Sequence, residues 1–205
     1  MGENTINNNG YDYVDLGLPS GTFWAAKNVG AGKPSDAGFY FQWGDTIGYT
    51  VDQIGKDKQF SWADYKFSIN GSDADFSKYT NSGEILELED DAAHVHMGGD
   101  WSMPSPNQIQ ELRDNTAVEW TTLNGVNGYL FTSNKDSSKF IFFPAVGSAW
   151  NGLIHHSGDS GDVWSNMLNM GSINGSQYLD FDSIGTYISF NHYRYDGLSV
   201  RGVIG

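Results

Sequence analysis

Chemistry in this chain would have to come from five His and 25 carboxylates, because there is no Cys. Without Cys there are no disulfides, thiolate nucleophiles or thiolate metal ligands. The histidines stand as His94-x-His96, the adjacent pair His155-His156 and a lone His192. These share no spacing that gathers a metal-binding cluster on one helix. His94 reads as a hydrogen-bonded structural histidine, and His155 and His156 read as surface contacts. Glu87, Glu89, Asp90 and Asp91 form an oxygen-rich run. Such a run can hold a hard cation, but the start of a solvated acidic helix explains it as well. Asp180 and Asp182 share one face of a strand and are the residue type that glycoside hydrolysis requires, although i, i+2 carboxylates are common on strands. No order of Ser, His and Asp suggests a nucleophilic triad. The expectation is no catalytic residue, no metal ligand, no cofactor and no enzyme.

The last third has instead the composition of a contact surface. From Phe140 to Gly205 there is no Lys and no Glu, and Asn, Asp, Ser, Gly, His and Tyr take their place. The densest patch is Ser189-Phe190-Asn191-His192-Tyr193, followed by Arg194-Tyr195-Asp196-Gly197. Tyr gives large rigid contact area with few rotatable bonds, and small polar residues give adaptable hydrogen bonds. The candidate ligand-binding residues are Trp150, His155, His156, Asp162, Asn166, Tyr178, Asp180, Asp182, Tyr187, Ser189, Asn191, His192, Tyr193, Tyr195 and Asp196. Tyr178, Asp180, Tyr187, Asn191, His192, Tyr193 and Tyr195 are expected to point outward. Trp150 and Tyr193 are the expected aromatic anchors.

Charge narrows the partner. The formal net charge is −14, which opposes sequence-independent nucleic-acid binding and docking on anionic lipid. No apolar run is long enough to span a bilayer. The opening Met1-Gly2-Glu3-Asn4-Thr5-Ile6 lacks the basic end and apolar stretch of a signal peptide, so export is left open by a leader removed earlier. Asn70-Gly71-Ser72 and Asn174-Gly175-Ser176 match the glycosylation sequon and carry little weight.

The elements that position these residues are legible in outline. Residues 1–10, with Asn7-Asn8-Asn9-Gly10, read as a flexible lead-in, and 11–205 as one domain. Tyr11 to Leu18 predicts a strand closed by the turn at Pro19-Ser20-Gly21, and Phe23 to Ala26 begins a second strand. Gly38 to Gly44 reads as a buried aromatic strand. Residues 45–82 read as a long loop pinned by Phe60, Trp62, Tyr65, Phe67 and Tyr79. Glu87 to Ala93 begins an acidic helix. A second helix follows Pro104, capped by Ser105, with Pro106 in its first turn and Ile109 and Leu112 on its apolar face. Trp120 to Leu123, Gly128 to Thr132, Phe140 to Phe143, Tyr178 to Asp182 and Leu198 to Val203 read as strands, the last two half-buried. The fold class is α+β, with two main helices, short antiparallel strands and long loops.

These stretches together resemble a known family. Tyr13-Val14-Asp15-Leu16-Gly17-Leu18-Pro19-Ser20-Gly21-Thr22-Phe23-Trp24-Ala25, Tyr40-Phe41-Gln42-Trp43-Gly44-Asp45, Glu89-Asp90-Asp91-Ala92-Ala93-His94 and Gly98-Gly99-Asp100-Trp101-Ser102-Met103-Pro104-Ser105 are similar to the Fibrobacter succinogenes major paralogous domain. Asn124 to Tyr129, Phe143-Pro144-Ala145, Trp164-Ser165 and Leu198 to Arg201 continue the likeness, which runs in order from about Tyr11 to Val203. Met97, Ser102 and Gly202 depart from the pattern, where Trp, Arg and Pro are common. The resemblance implies a C-type lectin-like fold, in the variant shared by formylglycine-generating enzyme and the variable proteins of diversity-generating retroelements. It implies that the C-terminal third faces the ligand, and that residues such as Ser189 to Tyr193 lie within reach of adenine-directed diversification. Trp150, Trp164, Met167, Met170 and Gln177 would then be fixed framework.

Formylglycine chemistry needs a cysteine pair, which this chain lacks. The calcium tripeptides of C-type lectins, Glu-Pro-Asn and Gln-Pro-Asp, are absent too. The resemblance therefore implies a receptor-recognition domain of a phage or bacterial surface protein, located outside the cell, on its surface or on a virion. Its partner would be a protein or glycan on a cell surface. The alternatives are a structural tail or surface component that associates into oligomers through its N-terminal segment, and an oxidoreductase of the formylglycine-generating kind.

Overall fold

Asn-Gly pairs, prolines and alternating aromatics set the course of this chain. The computed structural model describes residues 6–205. Three short strands open it: β1 (Ile6–Asn8), β2 (Tyr11–Val14) and β3 (Phe23–Ala25). The turn between β2 and β3 closes where the Gly21 amide donates to the Leu18 carbonyl at 3.0 Å. Because β1 pairs with β2, with Asn8 opposite Tyr11, the expected lead-in of residues 1–10 is corrected. Asn7 to Gly10 belong to a hairpin, and residues 1–5 lie outside the described part.

The buried aromatic strand is only two residues long, β4 (Tyr40–Phe41). The long segment that follows is pinned as its composition suggested, with Phe60, Tyr65, Phe67 and Tyr79 all buried. The acidic run differs from expectation. Leu88–Asp90 is a 3-10 turn, and α1 (Ala92–Met97) starts only after Asp91, whose carboxylate caps it by accepting from the His94 amide. The next helix, α2 (Pro106–Asn115), starts as its sequence dictates. Ser105 Oγ accepts from the Gln108 amide while the Gln108 side chain accepts from the Ser105 amide.

A meander follows: β5 (Thr116–Leu123), β6 (Val126–Ser133) and β7 (Phe140–Pro144). Asn124 and Gly125 both take positive φ between β5 and β6, the conformation a two-residue hairpin turn needs. Asn151-Gly152 repeats that chemistry between β8 (Ser148–Trp150) and β9 (Leu153–His155). The remaining strands are β10 (Ser160–Leu168), β11 (Ser176–Asp182), β12 (Thr186–Ser189), β13 (Leu198–Ser199) and β14 (Val203–Ile204).

The molecule is mixed and mostly β, with two α-helices. One sheet has the order β1-β2-β3-β14 and so joins the first and last described strands. The largest has the order β12-β11-β10-β13-β4, antiparallel except where β13 runs parallel to β10. Leu198 to Val203 is therefore not one half-buried strand. It is wholly buried and leaves one sheet for the other through Arg201. That guanidinium lies 4.2 Å from the ring centre of Phe143 and donates to Asn28 Oδ1 and to the Ala25 and Phe142 carbonyls. Two indoles lock β4 to β10: Trp43 donates to the Ser165 carbonyl at 3.0 Å, and Trp164 to the Phe41 carbonyl at 2.8 Å.

Candidate functional site

The C-terminal candidates converge on the end of the largest sheet, but many of them face inward. Residues 192–196 wrap through a turn, closed where the Asp196 amide donates to the Tyr193 carbonyl at 2.9 Å. Arg194 and Asp196 are buried and His192 is largely so, while Tyr193 is exposed and Tyr195 half-buried. Arg194 holds the segment in place with four hydrogen bonds, to Tyr65 Oη and to the carbonyls of Lys78, Tyr79 and Ile173. Its guanidinium also stacks 4.1 Å from the ring centre of Phe76. Backbone bonds fix both sides, from the Arg194 amide to Asn174 and between Gly197 and Ala149 of β8.

Beneath the surface lies a charged triplet. His192 Nδ1 meets Asp196 Oδ2 at 2.8 Å, and His192 Nε2 lies 3.4 Å from Asp162 Oδ2. Asp162 comes from β10, directly opposite Asp180 of β11, and Trp164 stands opposite Tyr178 two pairs further on. Burial opposes the charge on His192, but the two carboxylates outweigh it and push its pKa up to about 9. Burial raises the Asp196 carboxyl more than His192 lowers it. Asp180 is likewise raised by burial and by the neighbouring Asp162 charge, and it accepts from Ser189 Oγ at 3.1 Å. The Tyr178 phenol is raised by the same two causes.

The expected outward set is thus corrected at Tyr178, which is buried, and at His192, which points into the triplet; the candidates Asp162 and Asp196 are buried too. They form a floor, because the turn at Tyr193–Asp196 folds Asp196 back onto His192, which also meets Asp162. Asn166, Asp180, Asp182 and Ser189 are half-buried, and Asp182 is occupied in accepting from the Ile184 and Gly185 amides. The residues left facing solvent are His156, Tyr187, Asn191 and Tyr193.

Above the floor, Trp150, Asn191, His192, Tyr193, Tyr195 and Asp196 line a cleft of about 250 Å³. Each wall is braced. The Trp150 indole stacks on the His155 imidazole at 3.6 Å with 8° between the planes. Tyr193 stacks on Tyr195 at 5.3 Å and 15°, and Tyr195 packs edge-on against Trp62 at 4.7 Å. Sequence reasoning passed over Ser148, Trp62 and Trp164 as parts of this site. The Asn151-Gly152 pair, flanked by apolar residues, was a signal for the hairpin that presents Trp150. No local signal marks Trp62, which is brought in by the long loop.

Ser148, His192 and Asp196 stand in the order of a nucleophilic relay, with Ser148 Oγ 3.2 Å from His192 Nε2. The two carboxylates favour the charged form of His192, which has no lone pair to take the serine proton, and Ser148 is buried.

Elsewhere, the acidic run is already partnered from within the chain, by Lys78 and Lys66. Lys78 Nζ lies 2.6 Å from Glu87, 2.9 Å from Glu89 and 2.6 Å from Asp90, so an ammonium occupies the place a cation would take. Burial opposes the Asp90 charge, but bonds from Lys66, Lys78 and Tyr79 outweigh it and hold its carboxyl below the ordinary range. His94 Nδ1 lies 3.0 Å from the Trp101 carbonyl. Among the described residues no helix is long and apolar enough to cross a membrane.

No family model, curated protein or solved structure matches this chain. The geometry above is therefore the basis for a functional reading.

Proposed function

We propose that this chain is a ligand-recognition domain of C-type lectin-like architecture, carried on a bacterial or phage surface. The cleft framed by Trp150, Tyr193 and Tyr195 would be its contact site for a protein or glycan on another cell surface. One observation carries this reading: stacked and braced aromatics line an open cleft while the buried polar network fixes their bases. Rigid aromatic walls bind at little entropic cost, since few rotamers are lost on contact. The separation into an inward floor and an outward rim also suits a diversified surface. Asn191 and Tyr193 can change without disturbing Arg194 or the triplet, which supports retroelement variation at the rim.

The test is binding of the purified domain to intact bacterial cells and to arrayed surface glycans and proteins. Trp150→Ala and Tyr193→Ala should each lower retention at least about tenfold, the scale of a central aromatic anchor. Retention unchanged in both variants would overturn the reading.

A further inference from the structure

The cleft carries a charge asymmetry that points to the chemistry of its ligand. After Lys139 the only permanent cations are Arg194 and Arg201, against five Asp. Both arginines are 0% exposed and their donors are engaged inside the fold. The floor holds two carboxylates, Asp162 and Asp196, against one imidazolium, so it keeps a net negative charge. Asp196 is 5% exposed and lines the cleft. Its Oδ2 accepts from both His192 and the Tyr193 amide. Its Oδ1 has no hydrogen-bond partner among the described residues. A carboxylate oxygen free of donors on a side chain that lines the cleft, walled by an indole and two phenol rings, favours a cation that can sit against aromatic faces.

We infer that the cleft receives a basic side chain, Arg or Lys, presented by a protein partner. The cation would lie against the Trp150 and Tyr193 rings and donate to Asp196 Oδ1. This rests on the recognition reading above and specifies the partner as a protein with an exposed basic residue.

The experiment is an NMR titration of the intact domain, following the Trp150 indole N–H and the amides of 191–196. The probes are N-acetyl-arginine amide, N-acetyl-lysine amide, choline and N-acetyl-citrulline amide, the neutral isostere of the arginine probe. The arginine and lysine probes should shift these signals saturably and bind at least about tenfold more tightly than citrulline, and added salt should weaken them. Tyr193→Ala should reduce the effect with the fold intact.

Equal binding of arginine and citrulline probes overturns the inference without any variant. Choline binding ahead of both amino-acid probes overturns it in favour of a quaternary-ammonium headgroup. If neutral sugars shift the same signals while cations do not, this inference falls and the recognition reading stands. If no probe shifts them and cell retention ignores the rim variants, both fall.

Discussion

His192 shows how one residue can link composition to behaviour. As an imidazolium between Asp162 and Asp196 it titrates near pH 9 in the folded chain, against an ordinary value of 6.5. A raised folded-state pKa stabilises the fold fully below the unfolded value and loses that contribution as pH rises through the folded one. Stability should therefore fall between about pH 6.5 and pH 9, by on the order of 3 kcal/mol at most. Urea unfolding across that range checks it, and His192→Gln should flatten the slope; an unchanged slope in that variant would place the titration elsewhere. Tyr193 and Tyr195 divide in the same way. Tyr193→Ala should leave the melting temperature nearly unmoved, because the ring is 48% exposed. Tyr195→Ala should cost about 2 kcal/mol, since it strips a half-buried ring from Trp62. Arg194→Met should cost about 3–5 kcal/mol by leaving the Lys78, Tyr79 and Ile173 carbonyls unpaired, and thermal unfolding would register the loss.

Elements were legible where local chemistry decides them. α2 has its cap, its proline and its apolar pair within eight residues of sequence, and Ser105→Ala should cost about 1 kcal/mol in chemical denaturation; a change near zero would mean that packing of Ile109 and Leu112 alone holds the helix. The β5–β6 turn was likewise written in Asn124-Gly125. What stayed hidden was long-range. β10 is the middle strand of the largest sheet, yet Ser160 to Leu168 alternates poorly, because both of its faces are covered. Leu198 to Val203 read as one strand because a buried crossover keeps strand-like composition while changing sheets. In the site, the identities of the patch were visible and its facing was not. What draws Arg194 inward is a ring of carbonyls from residues 78, 79 and 173, which no local window contains.

For the whole molecule the dominant electrostatic fact is surplus. With 25 carboxylates and 11 cations, several of the latter internal, self-repulsion opposes compaction. Exposed pairs such as Lys78–Glu87 contribute little individually. Screening should help more than it harms, so added sodium chloride should raise the melting temperature from its low-salt value; a decrease would show that ion-pair networks outweigh the repulsion. Architecture sets a further consequence. β1 and β14 are the two outer strands of one four-stranded sheet, which puts Ile6 and Ile204 roughly 15 Å apart at ordinary strand spacing. A short peptide bridge can span that gap. The domain is thus built to be circularly permuted, or spliced as a guest into the loop of a host protein, without unthreading its core.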